Sequence, residues 1–215
     1  MNIIKNYQKV REEISKEVTI VAAVKTRTSK EVLEAIEAGV QDIGENYVQE
    51  AEKIQEELGV EAKKVRWHLI GHLQSNKIKR ALKIFDVIQT VDSYEKAKKI
   101  NQLVPEVGKK EIEIYLQINI SGEESKSGFK LTEDFKELVQ KISQLKNLKL
   151  DGIMVIGKKG EERNNFQEVK KLFDQINSLI PINTLSMGMT DSYQLAIEKG
   201  SSMVRVGTAL FGERD

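Results

Sequence analysis

Eight short apolar runs alternate with amphipathic helical stripes along the chain, and this alternation restricts the fold more than any other feature. The runs are too short to span a membrane, and several are rich in β-branched residues, as strands buried on both faces are. They cover residues 19–24, 42–44, 65–70, 87–91, 112–120, 150–156, 184–187 and 203–206 running on to 211. Eight strands that alternate with helices predict a single α/β domain over residues 1–215, a closed (β/α)8 TIM barrel with an extra N-terminal helix over about residues 2–16.

An open, doubly wound sheet is the alternative arrangement of the same elements. Such a sheet usually carries a glycine-rich dinucleotide fingerprint directly after its first strand. Here the first turn reads Lys25-Thr26-Arg27 and contains no glycine. The closed barrel is therefore favoured, although 215 residues is short for one.

The charge balance and the residue types exclude several classes of function. The 34 basic and 33 acidic residues give a net charge of +1, which argues against a partner that is a nucleic acid or a membrane surface. The chain has no cysteine, and its two histidines, His68 and His72, lack neighbouring acidic ligands, so we expect no disulfide and no metal site. No apolar leader or membrane span is found, and we expect a cytoplasmic protein.

A lysine stands where the first strand ends. Lys25 directly precedes a predicted helix start, at which Thr28 and Glu31 have the spacing of a capping box. In α/β proteins the carboxyl ends of parallel strands form the rim that carries ligand sites. Asn46 follows the second strand, so the barrel places it on the same rim as Lys25.

Two segments after the seventh and eighth strands suit a phosphate group. They are Ser186-Met187-Gly188-Met189-Thr190 and Val206-Gly207-Thr208. The loops after these two strands of a barrel commonly bind phosphate through backbone N–H groups, glycines allow close approach, and hydroxyls add donors. Either segment alone is typical of an ordinary turn, but together they favour a phosphate site.

Several long motifs resemble one known family, in order, over nearly the whole chain. They are residues 23–26 (AVKT), 43–50 (IGENYVQE), 67–77 (WHLIGHLQSNK), 185–191 (LSMGMTD) and 203–212 (MVRVGTALFG). The chain resembles the pyridoxal phosphate homeostasis proteins, which are related to the N-terminal domain of alanine racemase. This resemblance implies a barrel of the third fold type of enzymes that use pyridoxal 5′-phosphate (PLP).

The resemblance also implies the residues that bind the cofactor. Lys25 would form an imine with PLP, as a lysine can once its amine is neutral. The other implied residues are Asn46 beside the cofactor, Ser186, Gly207 and Thr208 at its phosphate, Met187 close to the ring and Arg205 at the pyridine nitrogen. An arginine remains protonated, so it would leave that nitrogen without a proton and make PLP a weaker electron sink.

Three further features have simpler interpretations. His68 follows a tryptophan inside a strand and is best explained as a hydrogen-bonded core residue. Glu45 and Glu50 are typical of charges at a helix start. The polar loop over residues 121–128 could cover the barrel mouth as a lid, and His72 has no assigned role.

Three functions are compatible with these residues. The favoured one is a carrier or regulator of intracellular PLP with little or no turnover, monomeric, with PLP and PLP-dependent apoenzymes as partners. The second is an amino-acid racemase, which needs acid–base groups on both faces of the substrate; Tyr47 and Tyr193 are candidates. The chain ends at Asp215, directly after the eighth strand, so we expect no added β-domain to supply that base. The third is a Schiff-base aldolase without PLP.

Overall fold

Eight parallel strands form a closed barrel, which confirms the fold expected from the sequence. The structure is a computed structural model that describes residues 2–120, 127–132, 134–157 and 161–213. The strand order is β1 to β8 around the barrel, and β8 pairs with β1 to close it. The strands are β1 Thr19–Ala23, β2 Asp42–Glu45, β3 Arg66–Leu69, β4 Val87–Val91, β5 Ile112–Ile118, β6 Leu148–Val155, β7 Thr184–Ser186 and β8 Met203–Val206.

Helices surround the barrel, and an additional one precedes the first strand as predicted. Short 3-10 turns at Gly59–Lys64, Ser75–Lys77 and Pro105–Val107 join some of the elements. The α-helices of the described residues are α1 Ile3–Glu13, α2 Ser29–Glu37, α3 Val48–Leu58, α4 Ile78–Ile84, α5 Tyr94–Leu103, α6 Phe135–Ser143, α7 Glu162–Asn177, α8 Tyr193–Glu198 and α9 Thr208–Phe211.

The predicted start of α2 is confirmed. The Thr28 side chain accepts a hydrogen bond from the backbone N–H of Glu31, and the Glu31 carboxylate accepts from the backbone N–H of Thr28 at 2.8 Å. These reciprocal bonds satisfy two N–H groups that a helix start leaves without partners. The helix therefore begins four residues after Lys25 and fixes the turn between them.

One local prediction was wrong. The eighth strand does not run on to Phe211: it ends at Val206, and α9 begins at Thr208 after a turn at Gly207. The error arises because a few apolar residues at the end of a strand fit the period of a helix as well as that of a strand. Most of the predicted lid, residues 121–126, lies outside the described residues.

The core has two parts. Most buried apolar side chains pack between the barrel and the helices around it. A smaller cluster of Val21, Val87, Tyr115, Met154 and Met203 fills part of the barrel interior. Polar side chains fill other interior positions, and Gln89, His68 and Ser186 are fully buried there.

Candidate functional site

A cavity opens at the carboxyl ends of the strands, where the sequence predicted a ligand site. Its volume is about 380 Å³. Its walls combine apolar side chains with charged and hydroxyl-bearing ones, and the lining residues come from six strand ends and the loops that follow them. The lining residues are Ala23, Lys25, Asn46, Ile70, Ile156, Met189, Thr190, Asp191, Arg205, Gly207 and Thr208.

Lys25 lies two residues beyond the end of β1 and is half-buried. The residue after it, Thr26, has φ of +67°, which non-glycine residues rarely adopt. The backbone N–H of Arg27 donates to the carbonyl of Val24 at 2.8 Å, so the chain turns sharply around Lys25. The cost of this conformation, of order 1–3 kcal/mol, is tolerated where surrounding structure fixes it, and such residues cluster at functional sites.

Asn46 follows β2 and is held by a glycine from the next loop. A Cβ atom on Gly71 would lie 2.3 Å from the carbonyl oxygen and 2.6 Å from the Cα atom of Asn46. Real Cβ atoms do not come so close, so only glycine allows the two backbones to pack in this way. Gly71 therefore sets the position of Asn46 in the cavity wall.

Glu45, the last residue of β2, is fully buried, which the sequence analysis did not foresee. Its Oε1 atom accepts from the backbone N–H groups of Asn46 and Tyr47 at 2.5 and 3.2 Å, whereas Oε2 has no partner among the described residues. Burial raises the pKa of the Glu45 carboxyl to about 7, although these bonds and the Lys25 ammonium oppose the shift. The helix-start interpretation is confirmed for Glu50, which lies in the first turn of α3, whereas Glu45 precedes the helix and accepts from the two residues before it.

The segments after β7 and β8 meet at the same end of the cavity. Gly207, Thr208 and Thr190 line it, and Thr190 Oγ1 accepts from the backbone N–H groups of Gly207 and Ala209 at 3.3 and 3.4 Å. A Cβ atom on Gly207 would lie 3.3 Å from the carbonyl oxygen of Ala23. The predicted pair of segments is thus brought together, because Thr190 Oγ1 is the shared acceptor of two backbone N–H groups after β8. Asp191 also lies on the cavity wall.

Ser186 and Met187 are not among the cavity-lining residues, unlike the other residues predicted at the site. Ser186 is fully buried in the barrel interior, where its hydroxyl bonds Arg205 and Gln89. Met187 is fully buried in the apolar core, and its carbonyl accepts from Ser201 Oγ. Ser186 is the last residue of β7. The loop that follows this strand reaches the cavity only further along, where it carries Thr190.

Arg205 lines the cavity from β8 while its guanidinium is anchored in the interior. Nη1 donates to the carbonyl and the hydroxyl of Ser186 at 2.9 and 2.7 Å, and Nη2 donates to the carbonyl of Val155 at 2.7 Å. Within the described residues no carboxylate bonds it. Burial lowers the pKa of Arg205 to about 10, so the group stays cationic at neutral pH.

The comparisons with known proteins agree with this architecture. A family model for the N-terminal domain of alanine racemase matches residues 1–215. The pyridoxal phosphate homeostasis protein of Haemophilus influenzae is 42% identical over 208 residues, 92% of this chain and 86% of the relative. The protein of that name from Escherichia coli K12 is 39% identical and covers 100% of this chain and 97% of its own length. The chain belongs to the pyridoxal phosphate homeostasis protein family.

Several solved structures share the fold. PipY of Synechococcus elongatus without PLP superposes with a TM-score of 0.92 at 31% identity, over 98% of this chain and 100% of PipY. The structure of PipY with PLP bound gives 0.90 at the same identity. Alanine racemase of Clostridium difficile shares the fold alone, with a TM-score of 0.80 at 16% identity over 99% of this chain and 56% of the racemase.

No helix in the described part of the chain combines the length and the apolar character that crossing a membrane requires. That part also contains no group of three or more histidine or acidic residues that could hold a metal ion.

Proposed function

We propose that this protein binds PLP at the cavity, covalently through Lys25, and acts in PLP homeostasis as a carrier or regulator. One observation carries the proposal: a primary amine, a buried arginine and the hydroxyl- and glycine-bearing segments after β7 and β8 line a single cavity of about 380 Å³. Related proteins that bear the homeostasis name, and PipY with PLP bound, support it. When bound, PLP supplies an aldehyde that a primary amine attacks and an electron-withdrawing pyridine ring.

The residues present fit such a group. Lys25 supplies the amine, and Asn46 would contact the cofactor beside it. The hydroxyls of Thr190 and Thr208, with the backbone at Gly207 open to close approach, would hold the phosphate, because hydroxyl and backbone N–H donors suit an anion. Thr190 takes the phosphate role expected of Ser186, since Thr190 lines the cavity and Ser186 does not.

Arg205 would determine the protonation state of the PLP ring nitrogen. Its guanidinium donates hydrogen bonds and cannot take up a proton, so a ring nitrogen facing it remains unprotonated. The bound ring would then withdraw electrons weakly, which suits a protein that holds the cofactor better than one that stabilises a carbanion.

Racemase activity has little support from the side chains around the cavity. A racemase needs a second acid–base group on the face opposite the lysine. Tyr193 donates its hydroxyl to Glu13 at 2.5 Å, and Tyr47 is 55% exposed. Neither lines the cavity with Lys25 in the part of the chain that the structure describes. We therefore infer little or no turnover of amino acids, and alanine or serine racemisation at about 1 per second or faster would overturn this inference.

Absorbance spectra of the protein with added PLP test the proposal directly. We expect a band in the imine region that borohydride fixes covalently in the natural chain and that Lys25→Ala abolishes. Lys77→Ala is the matched control, because Lys77 lines a neighbouring pocket with Asn46 and not the Lys25 cavity. If no such band forms in the natural chain, the proposal fails and a Schiff-base aldolase becomes the better candidate. If the band persists in Lys25→Ala, another amine binds PLP and the assignment of Lys25 is wrong.

The phosphate assignment has its own test. Thr190→Val removes the hydroxyl while keeping the branched shape, and we expect it to weaken PLP binding about tenfold or more, as loss of a hydrogen bond to a charged group does. Equal affinity of Thr190→Val and the natural chain would contradict the assignment.

A further inference from the structure

A continuous chain of buried polar side chains crosses the barrel interior from the cavity to the first residue of β2. Its members come from five strands and are between 0% and 8% exposed. The contacts are Arg205 Nη1 to Ser186 Oγ at 2.7 Å, Ser186 Oγ to Gln89 Oε1 at 2.8 Å, Gln89 Nε2 to His68 Nδ1 at 2.9 Å and His68 Nε2 to Asp42 Oδ1 at 2.8 Å. The chain joins a permanent cation to a carboxylate.

The sulfur of Met203 determines the direction of these hydrogen bonds. Gln89 Nε2 lies 3.2 Å from Met203 Sδ, and a thioether can accept a hydrogen bond but has no proton to donate. The amide nitrogen must therefore face the sulfur, and its second N–H donates to His68 Nδ1. That ring nitrogen consequently carries no proton, and the proton of the neutral imidazole is on Nε2.

The same amide determines the rest of the chain. Gln89 Oε1 can only accept, so the Ser186 hydroxyl donates to it and keeps a lone pair for the Arg205 guanidinium. At the other end, His68 Nε2–H donates to Asp42. Every donor thus points from Arg205 towards Asp42, and each described contact is satisfied in one arrangement only.

We propose that Gln89, His68 and Asp42 are positioning residues for Arg205. They act through Ser186 and fix the Arg205 guanidinium towards the cavity. This rests on the proposed function, in which Arg205 faces the PLP ring. A neutral amide in the middle orients its neighbours but does not readily pass a proton on. The chain therefore holds a charge at the cavity without conducting protons to it.

The direction of the hydrogen bonds between these polar side chains can be measured without any cofactor. The protein contains only two histidines, so labelling them with nitrogen-15 gives two imidazole patterns, and His72→Gln identifies the signals of His72. At neutral pH we expect His68 to show a bare Nδ1 and a protonated Nε2. A protonated Nδ1, in either the other neutral form or the doubly protonated form, overturns the assigned direction.

The positioning role is measured on the PLP-loaded protein. Gln89→Leu keeps a similar volume and removes the hydrogen bonds to Ser186, His68 and Met203. We expect roughly tenfold weaker PLP binding, equivalent to about 1.4 kcal/mol, and a shifted absorption band at saturation. Met154 lies in the same barrel interior but takes no part in the chain of polar side chains. Met154→Leu should therefore leave the PLP affinity and the absorption band unchanged.

A second pair of variants separates positioning from loss of stability. Asp42→Asn keeps an acceptor for His68 and should retain the natural band, whereas Asp42→Ala should shift it. If Gln89→Leu does not fold, this pair decides the question. A natural band and natural affinity in Gln89→Leu, or in Asp42→Ala, would refute the positioning role; absence of any band in the natural chain would instead refute the proposed function.

Discussion

Replacement of Glu45 by glutamine would remove a titration that destabilises the folded protein as the pH rises. Burial raises the pKa of this carboxyl from 4.5 to about 7, and its Oε2 atom has no partner among the described residues. Between these two values the folded chain holds a proton that the unfolded chain has released. The free energy of unfolding therefore falls with rising pH across this window.

The magnitude follows from the size of the shift. Each pH unit within the window lowers the free energy of unfolding by about 1.4 kcal/mol, so the full contribution of Glu45 is about 3 kcal/mol. The Glu45 proton contributes its full stabilisation below about pH 4.5, and this is lost above about pH 7. Glu45→Gln stays neutral throughout and keeps an acceptor for the N–H groups of Asn46 and Tyr47, so its stability lacks this slope.

Urea denaturation of the cofactor-free natural chain and of Glu45→Gln over this pH range measures the difference. We expect the natural chain to lose about 3 kcal/mol relative to the variant as the pH increases from 4.5 to 7. A difference that stays constant with pH would refute the reasoning. Glu57→Gln is the control. Glu57 is exposed on α3, the helix that follows Glu45, and it forms only a surface pair with Lys53 at 3.8 Å.

Two further substitutions test the elements that position the cavity wall. Gly71→Ala should cost roughly 1–3 kcal/mol by overpacking against Asn46, and should weaken PLP binding. A melting temperature and PLP affinity equal to those of the natural chain would contradict this. Thr28→Ala should lower stability by about 0.5–2 kcal/mol through loss of the capping box, measured by thermal unfolding, and Glu31→Gln, which can still accept from Thr28, should cost less.

The strands were predictable because a strand covered on both faces is apolar along its whole length. β4 shows the limit of that reasoning: its bounds, Val87 to Val91, agree with the prediction, but nothing singled out Gln89 within it. A polar residue inside an apolar run is the available signal, and it indicates a buried partner without saying which one. The partners, His68 and Ser186, come from distant segments and are brought together only by closure of the barrel.

The cavity was predicted at the level of segments better than of side chains. Lys25, Asn46, Arg205, Gly207 and Thr208 all line it, because each follows or ends a strand. Within residues 186–190 the prediction chose Ser186 for the phosphate, whereas Thr190 is the hydroxyl-bearing residue of this segment that lines the cavity. The pattern cannot give the residue at which β7 ends, and that single position determines which hydroxyl faces the interior and which faces the cavity.

The polar chain inside the barrel also changes how this interior tolerates mutation. An apolar core accepts a replacement of similar size, because no group is left without a partner. Here a single replacement at Gln89 removes a hydrogen-bond partner from both His68 and Ser186. A second replacement at either residue should therefore add little to the destabilisation that the first one causes. The three positions would thus show strong coupling in a double-mutant cycle and could change only as a set.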